Sequence, residues 1–152
     1  SALTLVVDWL SRQWRPHLGQ PRGLGNFRQM WAFARGPRLA AALSRRLARS
    51  YAVLHCEHPW DFELARQLRA HEACTSAKLV YSSHNIEHEL QQAVWRMNGA
   101  WTPAAQRLVA QLRRHEERCA QQADLCLATS DSDARALRAM GAREVVVRRP
   151  PE

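Results

Sequence analysis

The most reactive stretch of this 152-residue chain is "KLVYSSHNIEHEL", residues 78–90. An apolar run, Leu79 to Tyr81, stops at two serines, and His84, Asn85, Glu87, His88 and Glu89 follow within six positions. Upstream, "YAVLHCEHPW" repeats the pattern. An apolar run carrying His55 and Cys56 gives way to Glu57 and His58 ahead of Pro59. Imidazoles and carboxylates can exchange protons near neutrality, hydrogen-bond a polar ligand or bind a metal ion. For His84, flanked by small residues that leave room for a ligand, a functional role is at least as well supported as a structural one. The plainer readings stand beside it. His55 lies within its strand and reads as a packed core histidine. Glu57 and His58 are open to capping the next helix or meeting solvent. Asn85 is a natural cap for the helix that follows, with Glu87 favourable near its positive end. His88 and Glu89 read as surface positions of that helix.

His55, His58, His84 and Glu87 are the right types for a metal, yet no His-Glu-x-x-His-like spacing binds them into a ligand set. We therefore expect neither metal nor cofactor. The four cysteines, Cys56, Cys74, Cys119 and Cys126, contain no Cys-x-x-Cys pair. They are expected to be buried, reduced thiols.

These residues need elements to carry them. Strands are predicted at residues 2–7, 51–59, 78–82, 125–130 and 144–149. Residues 11–25, with Pro16, Gly19, Pro21, Gly23 and Gly25, read as a loop. A helix capped by Asn26 runs to Gly36–Pro37, and a second covers residues 38–50 with Leu39, Leu43 and Leu47 on one face. Further helices are expected at residues 60–73 and 86–98. Thr102–Pro103 starts a long helix whose apolar face is Leu108, Val109, Leu112 and Cys119, and residues 131–141 form a last helix closed by Gly141. From residue 52 strands and helices alternate, and the strands are short and apolar without period-two patterning. That predicts an α/β fold with a parallel sheet covered by helices. Ligands of such sheets bind beyond the carboxyl ends of the strands, where both polar clusters lie.

Bulk properties bound the function. Lys and Arg number 22 against 14 Asp and Glu, giving a net charge of +8. Lys78 is the only lysine. An arginine-rich balance suits phosphate, an anionic membrane or nucleic acid, and equally a GC-rich coding sequence. No helix-turn-helix, zinc-finger or aromatic RNA-binding signature accompanies it, so no nucleic-acid partner is expected. No apolar run reaches the roughly 20 residues of a membrane span. The opening "SALTLVVDWL" lacks a signal peptide's basic flank and cleavage site, so cytoplasmic residence is the expectation. The stretch "NFRQMWAFARGPRLAAALSRRLARS" joins aromatic residues to arginines. It reads either as a core face with solvated arginines or as peripheral contact with the anionic inner face of a membrane.

The segments "YAVLHCEHPW", "KLVYSSHNIEHE" and "HEERCAQQADLCLATSDSDARALRAMGAREVVVRRP", in that order, resemble the amino-terminal half of retaining glycosyltransferases of the GT-B fold, family four type. The likeness covers roughly residues 50–149. It includes a strand tip ending in His84-Asn85, Glu116 on a long helix ahead of Ala123-Asp124, Ser130 after the next strand, and Gly141-Ala142 before a valine-rich strand. It implies a Rossmann-like sheet forming one half of a two-domain enzyme, with residues 1–25 an irregular lead-in, 26–149 the α/β body and 150–152 the start of a linker. It implies transfer of a sugar from a nucleotide-sugar donor to the hydroxyl of a glycan or lipid-linked acceptor, in glycan biosynthesis. His84 would meet the reacting sugar as the catalytic residue, and Glu57, His58, Ser83, Asn85 and Glu87 would line the substrate. The donor would reach the enzyme through a carboxy-terminal domain not in this sequence, so the chain alone is expected to be inactive. Two departures stand out. No clean glycine-rich loop opens the chain, Gly23-Leu24-Gly25 being the nearest, and Pro150-Pro151 replaces the usual Pro-Asn-Gly linker. The alternative is a non-catalytic α/β binding or interaction module that kept the fold without the chemistry, and behind it a basic nucleic-acid-binding domain, which charge alone supports.

Overall fold

The computed structural model describes residues 37–45, 47 and 50–148. The expected strand at residues 2–7, the loop at 11–25, the helix opened by Asn26 and the Pro150–Pro151 linker lie outside the described residues. So does most of the aromatic and basic stretch.

Helix α1 (Pro37–Ser44) precedes β1 (Val53–Cys56), α2 (Pro59–Arg69), a 3₁₀ turn (Glu72–Cys74) and β2 (Lys78–Ser83). Then come α3 (Glu87–Met97), α4 (Pro103–Gln122), β3 (Leu125–Ala128), α5 (Asp131–Ala139) and β4 (Val145–Val147). The four strands form one sheet in the order β1-β2-β3-β4. The β2/β3 and β3/β4 pairs are parallel, with Tyr81 opposite Cys126 and Leu127 opposite Val146. The chain is therefore a Rossmann-like α/β fold, a parallel sheet flanked by helices, as its strand–helix alternation predicts.

Two compact units divide the chain. The first comprises Ser1–Cys56 with Trp60–Leu79, the second Glu57–Pro59 with Val80–Glu152. In the first, Leu54, Cys56, Phe62, Leu68, Cys74 and Leu79 form the buried core. Helix α1 is shorter than the predicted helix over residues 38–50. The Ser44 hydroxyl donates to the Ala41 carbonyl and the Leu47 amide to the Ser44 carbonyl, which tightens the last turn. Proline at the start of α2 loses nothing by lacking an N–H. Asp61 in the first turn and Arg66 and Arg69 in the last complement the helix dipole.

In the second unit Tyr81, Leu108, Leu112, Cys119, Cys126 and Leu137 are the main buried side chains. Helix α4 begins as its sequence predicts. Thr102 is the cap, its hydroxyl accepts from the Ala105 amide, and Pro103 follows. Its buried face contains the expected Leu108, Val109, Leu112 and Cys119, together with Ala105, His115, Glu116 and Ala120. Two polar residues on a face otherwise this apolar require partners, and both have them. Helix α5 is capped by Ser130, whose hydroxyl accepts from the Asp133 amide. It ends at Gly141, where φ is +96°, a conformation that favours glycine. The strands differ from one another. Leu79 to Ser83 of β2 are all buried, whereas β3 alternates and β4 keeps Val146 exposed at the sheet edge. The uniform absence of period-two patterning thus suits β2 best. All four cysteines are buried free thiols, as expected.

Candidate functional site

The polar residues that follow β1 and β2 come together inside the second unit. The turn Glu57–Pro59 carries His58, and the turn from Ser83 to Glu87 carries His84. The His58 and His84 ring centroids are 5.9 Å apart, tilted by 45°. His58 Nδ1 lies 3.9 Å from Glu87 Oε1. His84 is exposed, His58 half-buried and Glu87 buried. One imidazole thus faces solvent, with a second imidazole and a carboxyl behind it.

The other expected site residues are placed as follows. Glu57 is half-buried and Asn85 exposed, and neither enters the His58–His84–Glu87 contacts. Ser83 is buried, and its hydroxyl donates to the Asn85 carbonyl at 2.6 Å, which tightens the turn. Asn85 does not cap α3. The cap position is Ile86, which has no side-chain acceptor to offer. Nor is His88 a surface residue. Its side chain is 12% exposed, and Nδ1 lies 2.6 Å from Glu116 Oε2.

Glu116 is what this part of the chain needs and its local sequence does not display. It is 1% exposed, and its carboxylate accepts from the Glu87 amide at Oε1 and from the His88 amide at Oε2, each at 2.8 Å. The first amides of a helix have no intrahelical acceptor. Here a side chain from α4 fills the role expected of Asn85. One residue earlier, His115 Nε2 meets the Pro59 carbonyl, and Cys119 Sγ approaches the same oxygen at 3.8 Å. One turn of α4 therefore ties down both site turns. Beyond the tip of β3, the Thr129 hydroxyl lies 3.2 Å from both the His84 carbonyl and Asp133 Oδ2.

The electrostatics follow from this packing. Burial, then the nearby Glu116 carboxylate, pushes the Glu87 carboxyl up to about 7, while a hydrogen bond from Gln91 works in the opposite direction. Burial and the same carboxylates raise the Tyr81 hydroxyl well above its ordinary value. Among the described residues no group of three His, Cys, Asp or Glu side chains is placed to hold a metal ion. No described helix is long and apolar enough to cross a membrane.

A parallel sheet flanked by helices, with titratable side chains gathered at its strand tips, defines an α/β domain of the Rossmann class. Fold alone does not select its chemistry. The chain belongs to Glycosyltransferase Family 4, whose family model matches residues 4–150. No curated protein and no solved structure matches it.

Proposed function

We propose that this chain is the acceptor-binding half of a retaining, two-domain GT-B glycosyltransferase. That enzyme moves a sugar from a nucleotide-sugar donor to an acceptor hydroxyl. Family membership supports sugar transfer in general. The observation that carries the finer reading is His84, an exposed imidazole at the tip of the most buried strand, 5.9 Å from His58.

In such a transfer, positive charge grows on the sugar and negative charge on the leaving diphosphate. An imidazole held at a fixed strand tip can hydrogen-bond a sugar hydroxyl while the sugar becomes oxocarbenium-like. His58, backed by the Glu87 carboxyl at 3.9 Å, presents a second imidazole on the acceptor side. Burial pushes the Glu87 carboxyl up to about 7, so it can hold or release a proton near neutral pH. The donor half would supply the groups that meet the diphosphate. Donor sugar and acceptor follow from that half and from the outer rim of this one. A lipid-linked acceptor would suit a cytoplasmic enzyme whose basic stretch at residues 26–50 rests on anionic membrane. Salt-sensitive sedimentation with anionic but not neutral vesicles would support that arrangement.

The test is His84→Ala in the two-domain enzyme. A fall in kcat of at least 100-fold (about 2.7 kcal/mol of transition-state stabilisation) is expected, with an unchanged circular dichroism spectrum. Full activity in that variant would remove His84 from the reacting centre.

A further inference from the structure

A buried carboxylate normally answers a buried cation. Glu116 answers two backbone N–H groups and an imidazole nitrogen at the start of a different helix. Its Oε1 takes the Glu87 amide at 2.8 Å, and its Oε2 takes the His88 amide at 2.8 Å with the His88 ring Nδ1 at 2.6 Å. Separations of 28 and 29 residues make this a tertiary cap rather than a local one. Such a cap satisfies donors the helix cannot satisfy itself and sets negative charge at the positive end of its dipole. It also fixes where α3 begins, and hence the turn that immediately precedes it.

We infer that Glu116 is a positioning residue of the site, holding the start of α3 so that His84 and Glu87 stand together before His58. This rests on the sugar-transfer reading given above. Several contacts converge on it. The neighbouring His115 holds the Pro59 carbonyl, so the same turn of α4 anchors the turn that carries His58. The Thr129 hydroxyl approaches the His84 carbonyl from beyond β3, so the backbone from His84 to His88 is held at both ends. Ile86 is buried between them and cannot itself cap the helix. Loosening Glu116 therefore frees both the exposed imidazole and the carboxyl behind it, while the sheet is untouched.

Two measurements test this. In wild-type protein, the Glu87 and His88 amides should resist hydrogen exchange, although first-turn amides ordinarily exchange quickly. Glu116→Gln, which keeps one acceptor oxygen, should speed their exchange at least tenfold, and Glu116→Leu further. Amides of Cys126 and Leu127 in β3 serve as the unchanged reference. In the two-domain enzyme, kcat should fall in the order Glu116, Gln, Leu, by at least tenfold for Gln, with the donor KM unchanged. A purely structural cap would instead lower activity only in proportion to the folded fraction. Fast exchange at Glu87 and His88 in the wild type would overturn the assignment, as would exchange indifferent to Glu116→Gln. Lost protection with an intact kcat would overturn it equally. A fully active His84→Ala enzyme would contradict the reading of the site through a different variant, so the two failures are told apart.

Discussion

Glu87 is the residue whose chemistry departs furthest from what its type suggests. Its carboxyl stands at about 7 in the fold against 4.5 unperturbed, chiefly because it is buried and secondarily because Glu116 is near. The folded state therefore holds the proton more tightly than the unfolded chain. Between these two values the native protein binds more protons, so stability falls as pH rises through that window and levels off above it. Glu87→Gln removes the effect. The variant should match wild type near pH 4 and gain on it up to pH 8, by about 3 kcal/mol, since each tenfold difference in proton affinity between the two states is worth roughly 1.4 kcal/mol. Urea unfolding at both pH values measures this, and a difference that does not change with pH would contradict it. The histidine and carboxylate clusters are legible in the sequence because they sit beside apolar runs that end abruptly. The Glu116 cap is not, because its partners lie 28 and 29 residues away. His88 reads as surface for the same reason. The helix that keeps its ring from solvent is one its own neighbourhood does not reveal. The available hints are the family resemblance, which singles out Glu116 without giving its role, and the placing of His115 and Glu116 on a helix face otherwise apolar.

At the scale of elements, local rules are reliable wherever local chemistry decides. Thr102 followed by Pro103 starts α4, as its sequence predicts. Thr102→Ala should cost about 1 kcal/mol of stability, the usual worth of such a cap. Gly141 is as specific at the end of α5. With φ at +96°, an alanine there is strained by about 1–2 kcal/mol, and its Cβ would also lie 3.1 Å from Gln121 Cγ. Gly141→Ala should therefore lower the unfolding midpoint more than Thr102→Ala does, and the reverse order in thermal melts would contradict this account of the turn. Leu112, 1% exposed on α4, should cost about 2–5 kcal/mol when cut to alanine. Element lengths are less legible. The pattern Leu39, Leu43, Leu47 predicts a helix to residue 50, yet Ser44 turns its hydroxyl back on the chain and α1 stops there. The strand predicted at residues 125–130 ends at Ala128, because Thr129 and Ser130 turn their side chains to Asp133 and the cap of α5.

Across the whole molecule, the alternation of apolar runs and helices foretells a parallel sheet. The ordered set of short motifs leads to a glycosyltransferase, and the match to Glycosyltransferase Family 4 over residues 4–150 agrees. The candidate site lies within one unit. His58, His84 and Glu87 are gathered beside α4, and the proposal makes them the acceptor side of a two-domain enzyme. The most direct measurement of this claim uses the 152-residue chain itself, in isothermal calorimetry against UDP- and GDP-sugars and in a transfer assay with and without its donor-binding half. The account predicts no transfer and no micromolar affinity for any nucleotide-sugar by the chain alone, with transfer restored when the two halves are joined. Micromolar nucleotide-sugar binding, or turnover, by the isolated chain would contradict it.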